Sequence, residues 1–444
     1  MKKMGMVFLL ILALFVGTGL AQYADGGLGY MGTEGGVLMG GIGVTTIDSA
    51  TYFSVTFRPE LAFGKIGIGL NLNLLFNTET GDIRSEDWDE TYDYFRMIRY
   101  LRYGNKFDPI YARIGTLDAA RLGHGFIVNY YTNEASYDNR KIGLAFDLDF
   151  GKWGFETITS NLGRLELLAG RGYYRPLHGV VDIPIIKGLA LGASYARDFD
   201  PDDNLATNDD TYEYGFDAEL PLVRTAIFNS TLYYDWAQLA GFSSVDNMRR
   251  DFGSGQAVGV MASFGNLMGL LDLSAKLERR WLGEEFVPSF FDAFYEIQRY
   301  QVYGASSQHK VDMLLNSIYA QETKGVFGEL YGRVLGDAVR LLGNFSRLDD
   351  IDHSGIMHLA ADAPDAIPTI AAHATYDKIG IEQPKDVFTL DNQSVARVGL
   401  GYKIKPYLTL YMDYIWTFVE TEPGSREYKP QERVEPKLVF SYQF

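Results

Sequence analysis

Apolar and polar residues alternate with a period of two along several stretches of this chain. In residues 66–76, one face carries Ile66, Ile68, Leu70, Leu72, Leu74 and Phe76, and the other carries Gly67, Gly69, Asn71 and Asn73. Residues 141–150, 211–220 and 407–418 repeat the pattern, with Ile415 as the exception in the last of them. A helix would place its apolar residues at a spacing of ~3.6, so this pattern predicts β-strands.

The length of these runs and the connections between them favour a membrane barrel over a soluble sandwich. The runs are about ten residues long, closer to the ~9–11 residues of a tilted membrane strand than to the ~5–6 of a soluble one. Tight connections lie at 64–65, 151–152, 223–224, 265–266, 336–337 and 405–406. Long polar connections lie near 78–91, 118–139, 199–210, 238–254, 282–323, 349–393 and 420–432. Short turns on one side and long loops on the other are typical of transmembrane barrels.

The alternation of tight and long connections predicts an even number of strands. Eighteen are counted: 37–46, 51–63, 66–77, 92–104, 109–117, 140–150, 153–160, 165–174, 188–198, 211–222, 225–237, 255–264, 267–281, 324–335, 338–348, 394–404, 407–419 and 433–444. A count of sixteen stays open, because 37–46 is rich in glycine and 92–104 alternates less clearly. The predicted fold is all-β: a transmembrane, antiparallel, up-and-down β-barrel with short periplasmic turns and long extracellular loops.

The first residues have the pattern of an export signal. Lys2 and Lys3 precede an apolar run over 6–16, and the small residues of 17–21 suit cleavage before Gln22. The alternative is an uncleaved anchor helix, but the apolar run is shorter than the ~20 residues that a spanning helix needs. We therefore expect a signal peptide over 1–21 and one barrel domain over 22–444.

Composition agrees with an exported barrel and narrows the partners. The chain has 48 Gly, 30 Tyr and 28 Phe residues and no Cys, so it does not depend on disulfides. The net charge of -17 argues against nucleic acid as a partner. A mean hydropathy of -0.09 suits a barrel, because half of each strand is polar.

The last strand carries alternate apolar side chains, at Leu438, Phe440, Tyr442 and Phe444. This segment resembles the terminal strand of bacterial outer-membrane β-barrel proteins, although no particular porin family is matched. The resemblance implies insertion into the outer membrane beside lipopolysaccharide, recognition of this strand by the barrel-assembly machinery, and its pairing with the first strand. It also implies a homotrimer as an expectation of the porin-like class. Closure has a physical reason, since an open strand edge in lipid would leave backbone groups unpaired.

Charged residues on the polar faces are candidates for a pore lining. Arg96, Arg99, Arg102 and Arg113 are clustered, and they predict either a cationic wall at a constriction or arginines that extend to the membrane interface. The spacing of three between the first members prevents a straight strand from directing them all inward. The other candidates are Asp147, Asp149, Glu213, Asp217, Lys276, Glu329 and Arg333.

The loop 282–305 contains an aromatic cluster. Phe290, Phe291, Phe294 and Tyr295 follow Pro288 with a helix-like spacing. These side chains predict either a loop that folds into the lumen and narrows it, or one that packs over the extracellular rim.

Two acidic segments raise the question of metal or catalytic chemistry. Asp198, Asp200 and Asp202 start like a calcium loop, but the later positions depart from the EF-hand pattern, and a solvated acidic loop is the alternative. The residues Asp349, Asp350, Asp352, His353 and His358, and separately His124, offer a hydrolase reading. No recognisable nucleophile motif accompanies them, so we predict no enzyme and no cofactor.

The function that follows from these observations is a porin-like channel for the passive diffusion of small hydrophilic solutes. A large strand number supports it, since barrels of 16–18 strands leave an aqueous passage while those of ~8 are filled by side chains. The alternative is a non-channel surface, structural or adhesion barrel that acts through its long loops. The direction in which 282–323 and 349–393 fold distinguishes the two.

Overall fold

The computed structural model describes residues 35–47, 50–88, 94, 97–106, 108–134, 141–267, 270–303, 306–336, 338–420 and 428–443. Over these residues the chain forms a closed, antiparallel barrel of twenty strands. The signal peptide predicted over 1–21 and the terminal Phe444 lie outside the described residues.

The barrel strands follow one another in chain order. They are β1 (Gly35–Ile47), β2 (Ala50–Phe63), β3 (Ile66–Leu70 with Leu72–Asn77), β4 (Ile98–Tyr103), β5 (Ile110–Gly115), β6 (Gly143–Asp149), β7 (Trp153–Thr159), β8 (Leu167–Tyr174), β9 (Ala190–Asp198), β10 (Thr211–Arg224), β11 (Phe228–Ser243), β12 (Met248–Leu267), β13 (Leu271–Leu282), β14 (Thr323–Val334), β15 (Val339–Leu348), β16 (Gly355–Ile367), β17 (Ile370–Ile381), β18 (Ser394–Lys405), β19 (Leu408–Glu420) and β20 (Tyr428–Gln443).

Each strand pairs antiparallel with its neighbours in the sequence, and the last pairs with the first. The closing ladder runs from Val37 opposite Gln443 to Ile42 opposite Leu438. This closure satisfies the backbone groups that an open edge would expose to lipid. The transmembrane β-barrel predicted from the alternation is therefore confirmed.

The outer face of the barrel is apolar, as a surface in contact with lipid requires. Outward-pointing side chains that remain exposed include Phe53, Phe57, Phe216, Leu277, Leu400 and Tyr402. In β10, for example, the outward-pointing Phe216 alternates with inward-pointing, buried residues such as Thr211, Glu213 and Asp217. The period of two thus separates a lipid-facing surface from a polar interior.

The barrel has two more strands than the sequence predicts. Both β16 and β17 lie within 349–393, which is predicted as a long loop, and they are joined by a tight turn at 368–369. Small alanines occupy both faces of these strands, so they lack the apolar and polar contrast that reveals the others. The loop predicted at 238–254 is also wrong, since β11 and β12 continue to a short turn over 244–247.

Among the described residues, helical structure is limited to short segments in the connections. The α-helical turns are Pro184–Lys187, Tyr295–Gln298 and Lys310–Met313, and the 3₁₀ turns are Ser85–Asp87, Leu314–Asn316 and Asp386–Phe388. A small hairpin pairs Tyr300–Tyr303 with Ser306–His309. No helix within the described ranges is long and apolar enough to cross a membrane.

Candidate lumen constriction

Two long connections fold into the barrel and pack against each other. We call residues 116–134, between β5 and β6, inward loop A, and residues 283–303 with 306–322, between β13 and β14, inward loop B. The backbones meet where Val128 forms a parallel bridge with Phe291. Ser289 N–H donates to the carbonyl of Phe126 at 2.6 Å, and Asn129 N–H donates to that of Phe291 at 3.2 Å. The loops therefore form one unit.

This unit has a hydrophobic core of its own. Loop A contributes Leu117, Leu122, Phe126, Ile127, Val128 and Tyr131, and loop B contributes Phe286, Phe290, Phe291, Tyr295, Val311 and Leu314. They pack against inward-facing residues of the wall, several of them alanines: Ala145, Ala169, Ala196, Ala237 and Ala257. Small wall residues leave space for the aromatic rings, and burial of large apolar side chains holds the loops inside the barrel.

The aromatic cluster predicted in loop B lies mostly in this core. Phe290, Phe291 and Tyr295 are 1%, 0% and 1% exposed, whereas Phe294 is 59% exposed. The loop thus folds into the lumen with three of the four rings. Phe294, which immediately precedes the helical turn Tyr295–Gln298, lies outside this core.

Loop A is also held by charged contacts with the wall. The Nδ1 atom of His124 lies 2.9 Å from Asp235 on β11, and Nε2 lies 3.3 Å from Glu219 on β10. The imidazole stacks on Tyr233, with ring centroids 4.0 Å apart. Burial alone lowers the pKa of His124, but the two carboxylates outweigh burial and raise it from 6.5 to about 9. His124 is therefore an imidazolium at neutral pH.

Further contacts join loop A to strands on different sides of the barrel wall. Arg121 donates to Glu329 on β14 at 2.6 Å, and Gly123 N–H donates to Glu156 on β7 at 3.2 Å. On the wall itself, Arg171 of β8 forms a bidentate pair with Asp217 of β10, at 2.9 and 2.6 Å. A bidentate ion pair holds both side chains in a defined orientation, because the planar guanidinium matches the two oxygens of the carboxylate.

The acidic loop 199–210, together with the preceding Asp198, contacts inward loop B. Asp198, the last residue of β9, accepts a hydrogen bond from Tyr295 Oη at 2.9 Å, and it lies 3.4 Å from Arg299. His309 lies 2.7 Å from Asp209. Of the predicted calcium residues, Asp200 and Asp202 come together with Asp209, their ligand atoms within 4.8 Å of one another, while Asp198 is engaged with loop B. The calcium site remains a prediction.

Two arginines of the predicted cluster form ion pairs. Arg99 lies 2.9 Å from Glu60, and Arg113 lies 2.6 Å from Asp118, with both arginines buried. Arg102 bonds to the carbonyl of Gly104 in the adjacent turn. Arg96 lies outside the described residues. The three described arginines are thus occupied by near neighbours.

Most of the other predicted lining residues lie beneath or beside the inward loops. Asp147 binds Lys106 at 2.7 Å, Lys276 binds Glu278 at 2.6 Å, and Glu213 is fully buried. Asp217 and Glu329 form the pairs described above. Asp149 pairs with Arg175 at 2.9 Å, near the short turns, and Arg333 pairs with Asp272 at 3.1 Å.

The opposite part of the inner wall is accessible to water. Residues paired across antiparallel strands share a face, and the ladder through Tyr331, Leu342, Ala360, Thr375 and Arg397 therefore places Arg397 on the same face as Glu329. The same rule places Lys437 and Arg58 inside. All three cations are exposed, in contrast to charged inward-facing residues of β10–β13 such as Glu213, Asp235 and Lys276, which are buried.

Acidic side chains also line this accessible side. Asp377 faces inward with 54% of its side chain exposed, 2.5 Å from His358. Asp413 also faces inward but is buried, 2.6 Å from the buried His373. The inner wall over β15–β20, β1 and β2 therefore presents charges of both signs to water.

Sequence reasoning missed His124, Asp235 and the exposed cations as parts of the lumen. Arg397 was within reach, since it falls on the polar face of the predicted strand 394–404. The contacts of His124 were not, because its partners lie far along the chain. The residues of the hydrolase hypothesis are dispersed: Asp349 pairs with Arg279 and His353 lies near Gly380, while His358 faces the lumen.

The solved structures described below are similar to this chain in fold but share little sequence identity with it. No protein-family model matches the chain, and no curated protein matches it. Among solved structures, the chain is similar to CdiB from Acinetobacter baumannii (8% identity, TM-score 0.32, 92% of this chain), of which it spans only 60%. It is also similar to the ferric-catecholate import receptor Fiu of E. coli (10% identity, TM-score 0.39, 93% of this chain and 82% of that one). Pseudomonas aeruginosa OpdL is similar at 9% identity and a TM-score of 0.33, over 92% of this chain and 97% of that one. Nothing about solute or mechanism follows at these values.

Proposed function

We propose that this chain is an outer-membrane channel that passes small hydrophilic solutes by diffusion along one side of its lumen. The observation that carries the proposal is the contrast between two parts of the inner wall. Charged residues of β10–β13 that face inward, such as Glu213, Asp235 and Lys276, are buried, whereas Arg58, Arg397 and Lys437 on the other side are exposed. Charged side chains in contact with water inside a barrel are typical of a hydrated path.

The geometry favours a channel over the alternative of a surface barrel acting through its loops. Loop B, the longest connection between described strands, packs inside the barrel. The segment 349–393 is mostly strand, with 349–354, the tight turn 368–369 and 382–393 left as connections. These two segments, as far as the structure describes them, therefore offer little external binding surface.

Export and assembly complete the proposal. The apolar outer face suits a lipid bilayer, and the signal peptide over 1–21 would direct the chain to it. Leu438, Phe440, Tyr442 and Phe444 would be read by the barrel-assembly machinery. Assembly as a homotrimer is a further expectation, tested by the mass of the protein in nanodiscs.

Single-channel recording tests this function. Purified protein in a planar bilayer should give discrete conductance steps. A shortened variant replaces residues 286–318 by Gly-Gly. Two residues can join the remaining ends, because Glu285 N–H donates to the carbonyl of Tyr319 at 2.7 Å. Removing this part of loop B should raise the conductance several-fold. An inserted wild-type barrel without conductance, combined with a conducting variant, would mean that the lumen is sealed and would overturn the proposal.

A further inference from the structure

A groove on the outer face of the barrel has the features of a lipid site. Leu330, Gly343, Leu359, Tyr376 and Ala396 form one row across β14–β18, each opposite the next. Because Glu329 points inward to Arg121, the adjacent Leu330 and its row point outward. Small side chains in this row and beside it leave a depression of about 480 Å³, within the size range of ligand sites.

The connection between β17 and β18 forms one wall of this groove. Lys378 donates to the carbonyl of Thr389 at 3.1 Å and to Asp391 at 2.6 Å, and it is only 1% exposed. These bonds hold the connection against the outer surface. They place Phe388 and Leu390 along the groove, where they remain 57% and 45% exposed. Two large apolar side chains exposed beside an apolar groove favour an apolar occupant.

A cationic patch lies on the same face, toward the long-loop end. Arg279 and Arg347 are both opposite Val326, on either side of it, and Lys324 points outward two residues before it. Asp349 is paired with Arg279 and lies within electrostatic range of Lys324 and Arg347. Three cations thus surround one carboxylate, and both Lys324 and Arg347 are exposed. The patch retains an excess of positive charge for an anionic head group.

We propose that the groove binds an acyl chain of a phosphorylated glycolipid of the outer leaflet, with its phosphate held by Lys324, Arg347 and Arg279. The long-loop end of the barrel faces outward in proteins of this architecture, so the groove and the patch lie at the depth of that leaflet. The inference needs the outer face to meet lipid but is independent of solute passage, and conductance results leave it unaffected.

Native mass spectrometry of the full chain in detergent tests this site, with a diphosphorylated lipid A as the probe. Wild-type protein should retain one molecule, and phosphatidylcholine should not displace it. Ala374→Phe fills the groove and should weaken retention at least tenfold. Ala218→Phe is the matched control, since Ala218 also points outward, on β10, away from the groove. The pair Lys324→Ser and Arg347→Ser should weaken retention similarly, whereas Lys152→Ser, at a short turn, should not.

Three results would overturn the proposal. One is equal retention of lipid A by the Ala374→Phe and Ala218→Phe variants. Another is equal competition by phosphatidylcholine, which would remove the role of the cations. The third is a dimer of the wild-type chain that Ala374→Phe dissociates, which would assign the groove to a second copy instead.

Discussion

At the scale of single residues, one buried imidazolium links inward loop A to the wall. His124 contacts carboxylates on two strands, Asp235 and Glu219, and is 4% exposed. The folded-state pKa of about 9 lies above the unfolded value of 6.5. The contact therefore stabilises the docked loop fully below pH 6.5, and its contribution declines between the two values and is lost above pH 9. A shift of this size corresponds to on the order of 3 kcal/mol.

We predict that raising the pH from 6 to 10 loosens loop A and increases the current noise of the open channel. His124→Gln removes the charge and leaves the two carboxylates uncompensated. This variant should be noisy at pH 6 already and should change little up to pH 10. Single-channel recordings over this pH range make the comparison. A variant with the same pH-dependent rise as wild type would show that another group controls the loop.

At the scale of elements, the inward loops are stabilised by each other more than by their own local structure. Loop B contains only short helical turns and a small hairpin. Such elements are marginal alone in water, because they bury little surface and their hydrogen bonds compete with solvent. The rings of Phe290, Phe291 and Tyr295 lie within 4.7–5.7 Å of one another by their centroids. Packing of these rings against loop A and the wall therefore determines the position of loop B.

We predict that Phe291→Ala weakens the docking of loop B by about 3–5 kcal/mol, the usual cost of truncating a buried phenylalanine. The measurement is the rate of trypsin cleavage after Arg299 and Lys310, two sites that the docked loop buries. Cleavage should accelerate by orders of magnitude. Phe294→Ala is the matched control, since Phe294 is 59% exposed, and it should be cleaved at the wild-type rate. Equal rates for the two variants would contradict the role of the aromatic core.

At the scale of the whole molecule, the barrel is divided into a filled part and an accessible part. The filled part contains the inward loops and the buried ion pairs of β6–β14. The accessible part presents Arg58, Arg397 and Lys437 together with Asp377. Charges that line a narrow, water-filled passage determine which ions enter it, because the surrounding barrel focuses their electric field.

We predict that reversing two charges on the accessible side lowers the permeability of chloride relative to potassium. The double variant Arg397→Glu and Lys437→Glu should shift the ratio several-fold, as read from the reversal potential in a salt gradient. Arg347→Glu is the control, because Arg347 is on the outer face and should leave the ratio unchanged. A double variant with wild-type selectivity would move the solute path away from this side.

The sequence by itself determined the fold class. Alternation with a period of two is a local property, and one apolar face per strand specifies lipid outside and a polar interior. Strands such as 141–150 and 407–418 are therefore readable without any partner. It did not reveal β16 and β17, whose alanines on both faces give no contrast between the two environments.

Only the tertiary structure decided where the long loops go and which charges meet. Arg121 and Glu329 are 208 residues apart along the chain, and Tyr295 and Asp198 are 97 apart. Such pairs form only after barrel closure brings distant strands around a common lumen. The direction of loop B depends on a core shared with loop A and the wall, which no single segment encodes. The strands were thus readable from local patterning, while the constriction depends on contacts that closure creates.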